Sequence, residues 1–200
     1  MVTKLIEEKH PRPFLILAKP LAYLKIPPNL ITFSALLFGL ITALMLIQHH
    51  LILAIVFGLI SAYCDTVDGL VARLNNQRTS FGRLFDVTSD KIVEIMLGLG
   101  FAVIAPDFLI PGLLWGFLAT TGGILVSVIS NVGLSETSKK PFKLLDRGSR
   151  GLLGLLGLLL ALFLGDLFIT YFLIIVSLLS YLTVLSLFIQ YYFLLKNKKA

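Results

Sequence analysis

Four aspartates stand close together in the stretch DTVDGLVARLNNQRTSFGRLFDVTSD, which runs from Asp65 to Asp90 inside otherwise apolar sequence. Asp65 and Asp68 are three residues apart and Asp86 and Asp90 four apart, so on helices each pair projects from one face. Gly69 and Ala72 share the first face and Gly82 shares the second. The connection NNQRTSFG is short, which makes the two helices antiparallel neighbours with acidic faces that meet. A carboxylate at the centre of a membrane span costs about 2.5–3.5 kcal/mol. Arg73 and Lys91 are too few to offset four such groups plus Glu94. Oxygen-only ligands at helical spacing suit a hard divalent cation, Mg²⁺, Mn²⁺ or Ca²⁺, and no His or thiolate cluster favours zinc. A single intramembrane aspartate is adequately explained by pairing with Arg73, Lys91 or a hydroxyl; two helical pairs beside Gly, Ala and Arg are not.

The elements that must position these groups follow from composition. Of 200 residues, 57% are hydrophobic and 14% charged, and the mean hydropathy is +0.94, well outside the range of soluble domains. The chain reads as an all-α integral membrane protein. Runs near the length that crosses a bilayer, about 20 residues, occur at Asn29–Gln48, Leu51–Arg73, Arg83–Ala105, Leu109–Gly133, Gly151–Leu164 and Leu167–Leu195. These predict six transmembrane helices in one domain over residues 29–200, preceded by an N-terminal interfacial amphipathic segment at 1–28 that Pro11, Pro13 and Pro20 break. Asn29 and Thr32, at the start of the first span, are expected to cap it or to touch phosphate oxygens.

Every Lys and Arg except Lys91 falls before the first span, after the second, fourth or sixth, or at the start of the third and fifth. The turns around His49, Pro106 and Gly165 carry none. That asymmetry places both termini and the aspartate site on the cytoplasmic side of a multi-pass protein in a prokaryotic-type cell membrane. It also accounts for the net charge of +6 by contact with membrane lipids, with no nucleic acid as partner. Cys64 is the single cysteine, a packing residue with no intrachain disulfide to form.

Gly69, Ala72 and Gly82 offer little side chain, so a bulky ligand can approach the helix backbone. Arg73 has the fork that matches phosphate oxygens. With metal-binding carboxylates they suggest a nucleotide diphosphate held through a divalent ion, and no P-loop or Rossmann pattern offers another nucleotide site. With its gaps, the stretch is D-x2-D-G-x2-A-R-x8-G-x3-D-x3-D, on Asp65, Asp68, Gly69, Ala72, Arg73, Gly82, Asp86 and Asp90. This is similar to the signature of the CDP-alcohol phosphotransferases, integral membrane enzymes of phospholipid synthesis.

The resemblance implies a set of roles. Asp65, Asp68 and Asp86 hold one or two ions of Mg²⁺ or Mn²⁺, Asp90 completes the metal site and acts as general base, and Gly69, Ala72, Arg73 and Gly82 line the CDP moiety. It also implies a homodimer and a reaction in which a CDP-linked lipid donor, phosphatidyl or archaetidyl, passes its lipid phosphate to a small polar alcohol acceptor with release of CMP. Arg147 and Arg150, three apart near the fifth span, point to a phosphorylated acceptor such as glycerol 3-phosphate or inositol phosphate; Lys139 and Lys140 before them either join that site or form a solvated, lipid-attracting surface. Serine or another unphosphorylated acceptor remains open, as do a cation transporter built on the same aspartates and an inactive family member kept for assembly. Glu94 orients Asp90, lines the acceptor pocket or bridges helices; Lys91 is expected to partner another span.

Overall fold

The structure, a computed structural model, describes residues 12–139 and 141–196 of the 200. Seven α-helices and no strands occur among the described residues: α1 (Arg12–Tyr23), α2 (Pro28–Ile47), α3 (Leu51–Leu74), α4 (Ser80–Ile104), α5 (Gly112–Thr137), α6 (Arg147–Leu164) and α7 (Leu167–Lys196). Five of them, α2, α3, α5, α6 and α7, are long and apolar enough to cross a membrane. α4 has the length, at 25 residues, but Asp86, Asp90, Lys91 and Glu94 lie along it and separate it from the five by composition.

Two compact units divide the chain, Met1–Leu97 and Gly98–Ala200. In the first, α2 packs along α3, and α1 also lies on α3. Ala18 of α1, Ile31 and Ala35 of α2, and Cys64, Val67, Leu70 and Val71 of α3 form the buried core between them, so Cys64 is the packing residue its isolation suggested. Polar ties supplement that core. Ser61 Oγ donates to the Ala35 carbonyl at 2.7 Å, and Tyr63 OH donates to the Leu17 carbonyl at 3.0 Å. α4 joins this unit closely: a methyl on Gly39 of α2 would lie 2.6 Å from Val93 Cγ2 of α4. The cap of α2 differs from expectation. Pro27 holds the cap position with Pro28 in the first turn and no side-chain cap bond, so Asn29 lies within the helix, because proline's fixed φ already pre-forms that turn.

In the second unit α7 packs against both α5 and α6. Val126, Leu187 and Tyr191 form its buried cluster. Small residues allow the approach: Gly122 of α5 faces Ser180, and Gly157 of α6 faces the Phe172 ring, as expected where helices gain by contact rather than by expelling water. The turn between α4 and α5 is closed by Asp107 Oδ1, which accepts from Gly112 N at 2.8 Å, and by Trp115 Nε1, which donates to the Phe108 carbonyl at 2.9 Å. Faces that meet no neighbour carry Phe117, Leu152, Phe163, Leu185 and Phe188, all exposed, the composition a helix needs against hydrocarbon.

Candidate functional site

The site lies in the first unit, where the last turns of α3 approach the first turns of α4. Local chemistry makes the turn between them. Asn76 adopts a left-handed φ of 55°, which asparagine tolerates better than most residues. Gln77 N closes back onto the Ala72 carbonyl at 2.9 Å. Thr79 then starts α4: its Oγ1 accepts from Gly82 N at 2.9 Å, satisfying one of the N–H groups a helix start leaves open. This cap is written in TSFG but escapes a reading focused on the aspartates.

Three of the four aspartates converge. Asp65, Asp86 and Asp90 are each half-buried and each offers a carboxylate oxygen, the three lying within 4.8 Å of one another. Asp68 is held separately. It is 5% exposed, accepts from Thr32 Oγ1 of α2 at 2.6 Å, and also accepts from the neighbouring Gly69 N. Thr32 was expected to cap the first span or touch phosphate oxygens; its hydroxyl instead goes to an aspartate 36 positions along the chain.

The two glycines of the motif differ. A methyl on Gly69 would meet nothing within 4 Å, so the α3 backbone beside the aspartates is open to a ligand. A methyl on Gly82 would lie 3.0 Å from both Asn29 Oδ1 and Thr79 Oγ1; glycine there lets α4 begin against α2. Ala72 and Arg73 are half-buried in the last turns of α3. Lys91 pairs with Glu94 on its own helix, because three residues along α4 bring the two chains onto one face. Three converging oxygen donors beside an open backbone fit a hard divalent cation.

The basic residues singled out for an acceptor belong to the second unit. Lys139 is exposed just beyond α5, and Lys140 lies outside the described residues. α6 begins at Arg147, four residues ahead of the expected Gly151, because Asp146 caps it: its Oδ1 accepts from Ser149 N at 2.8 Å and Ser149 Oγ at 2.7 Å. Those bonds, that of the backbone N–H first, hold the Asp146 carboxyl below the usual carboxylate range. Arg147, exposed, and Arg150, half-buried, therefore share the first turn of α6.

Known proteins supply the family. The chain is 24% identical over 168 residues to a CDP-diacylglycerol–inositol 3-phosphatidyltransferase of Candida albicans, covering 82% of this chain and 65% of that protein. It is 30% identical over 98 residues to an archaetidylinositol phosphate synthase of Pyrococcus horikoshii, covering 49% and 52%. Its matches thus span between about half and two thirds of the length of these curated relatives. Among solved structures, the phosphatidylinositol phosphate synthase of Mycobacterium tuberculosis with CDP-DAG bound has the same fold, with a TM-score of 0.77 and 18% identity over 91% of this chain and 94% of that one. The same enzyme in complex with manganese and citrate gives 0.76 and 16%, covering 90% and 88%. The model of the CDP-alcohol phosphatidyltransferases matches residues 25–185, and the chain belongs to that family.

Proposed function

We propose that the protein transfers a phosphatidyl or archaetidyl group from a CDP-linked lipid to the hydroxyl of a small phosphorylated alcohol, glycerol 3-phosphate or inositol phosphate, releasing CMP. The observation that carries this reading is the convergence of Asp65, Asp86 and Asp90 beside the open backbone at Gly69. With Asp68, these residues would hold one or two ions of Mg²⁺ or Mn²⁺, which when bound neutralise diphosphate charge. Gly69, Ala72, Arg73 and Gly82 border the CDP moiety, and Arg73 offers its guanidinium to phosphate oxygens. Asp90 takes the acceptor's hydroxyl proton as general base. The acceptor oxygen then bonds to the lipid-linked phosphorus, and the bond from that phosphorus to the bridging oxygen breaks, so CMP leaves with that oxygen.

A site open to cytosol and bilayer suits a water-soluble acceptor meeting a membrane-anchored donor. In this reading α4 is the third of six spans, α1 lies at the interface, both termini are cytoplasmic, and the protein works as a homodimer. The names of relatives differ on the acceptor, since one product is an inositol phosphate lipid and another enzyme is named for inositol itself. The paired arginines in the first turn of α6 favour the phosphate.

Radiolabelled product formation from a panel of acceptors with both donors tests this. Glycerol 3-phosphate or inositol phosphate should outcompete serine, and Arg147→Ala or Arg150→Ala should raise the acceptor KM strongly while CDP-lipid binding stays nearly intact. Preference for an unphosphorylated acceptor, with both variants behaving as wild type, would return the basic loop to membrane orientation alone.

A further inference from the structure

The segment that precedes α6 has to cross from the end of α5 without regular structure. Ser138, with a left-handed φ of 57°, ends α5, and the described part of the following loop leads to the Asp146 cap. Backbone groups in such a loop need partners, and α7 supplies them from one face. Gln190 grips Phe142 through both main-chain groups: its Oε1 accepts from Phe142 N at 3.1 Å, and its Nε2 donates to the Phe142 carbonyl at 3.0 Å. The second amide proton goes to Ser186 Oγ at 3.0 Å, so the carboxamide is fully committed in a single orientation.

Two turns earlier on α7, the Thr183 hydroxyl donates to the Leu179 carbonyl at 2.6 Å and accepts from Leu145 N at 3.2 Å. Thr183 is fully buried, and Leu145 is 3% exposed. The Phe142 side chain, by contrast, is 70% exposed, so the attachment there is made by the amide and not by burial of the ring. Thr183, Ser186 and Gln190 recur at helical spacing along α7.

We infer that Gln190 and Thr183 are positioning residues for the acceptor: they fix Phe142 and Leu145, and through the adjoining Asp146 cap they set where Arg147 and Arg150 begin. This rests on the reading that those arginines receive the acceptor's phosphate. Neither residue touches substrate. Their effect is to remove the motion of the segment that carries the arginines, which lowers the ordering cost of acceptor binding.

The test measures acceptor KM, CDP-lipid KM and backbone amide exchange of the Phe142–Leu145 segment in the purified full-length protein. Gln190→Ala and Thr183→Val should each speed amide exchange there and raise the acceptor KM roughly tenfold, the scale of one or two lost hydrogen bonds, with the CDP-lipid KM unchanged. Thr183→Ser, which keeps the hydroxyl, should restore protection and KM. Faster exchange with an unchanged acceptor KM overturns the inference, and so does a matching rise in both KM values. If Arg147→Ala and Arg150→Ala raise the acceptor KM while Gln190→Ala and Thr183→Val do not, this inference alone fails. If the arginine variants also behave as wild type, the phosphate-acceptor reading beneath it fails.

Discussion

Among the four aspartates, Asp68 accepts a hydroxyl from Thr32, whereas Asp65, Asp86 and Asp90 turn toward one another. The helical pairs were legible because spacing of three and four residues fixes a shared face whatever the tertiary context. The Thr32 contact was not, because it depends on how α2 packs on α3, which no local period encodes. Three predictions belong at this scale. If Asp86 is a metal ligand as proposed, Asp86→Asn should abolish turnover and weaken metal-dependent nucleotide binding, since it removes one of three converging carboxylates. Asp90→Asn should lower turnover by roughly 10²–10⁴-fold while CDP-lipid binding survives in part, as loss of a general base does. Turnover and nucleotide titration on both variants check this; equal collapse of binding in the two would make Asp90 chiefly a ligand. Thr32→Val tests the third role. A hydrogen bond to a charged group contributes about 1.5–3 kcal/mol, so metal-dependent nucleotide binding should weaken roughly 10–100-fold if Thr32 presents Asp68 to the ion.

The helices show where sequence patterns suffice and where they mislead. Hydropathy marks five of them plainly. α4 is legible through the periodicity of its acids and its length, not its apolarity, because Asp86, Asp90, Lys91 and Glu94 interrupt its apolar run. The start of α6 was placed too late, since the apolar run begins at Gly151 while the capping residue Asp146 lies in the polar sequence before it. Asp146→Ala should destabilise α6 by about 1 kcal/mol, visible as a lower midpoint in thermal unfolding in detergent. The pH dependence has a definite sign. The folded carboxyl titrates below its unfolded value, so its contribution is present above about pH 4, the unfolded value, and is lost as pH falls through the lower folded one. Asp146→Asn caps nearly as well and should remove that acid sensitivity; equal midpoints for the wild type and Asp146→Ala would show that the cap carries no stability.

For the whole molecule, the distribution of Lys and Arg predicts a topology that apolar packing alone does not choose. In sealed vesicles of a Cys64→Ala background, a membrane-impermeant maleimide should label Lys139→Cys from the cytoplasmic side and Asp166→Cys from the opposite side. Labelling of both from one side would refute the six-span arrangement. The family was legible in eight motif positions because a metal and nucleotide site constrains residue types at fixed gaps. No such motif marks an acceptor, because recognition of a phosphate by arginines would tolerate many placements. The central claim, metal-dependent transfer from a CDP-lipid, is tested most directly by CMP release from purified protein supplied with CDP-lipid and an acceptor alcohol. Release should require Mg²⁺ or Mn²⁺, stop on chelation, resume on readdition and be absent in Asp86→Asn. No release with either ion, together with cation flux in protein-loaded liposomes that Asp86→Asn abolishes, would contradict it and make the aspartates a transport site.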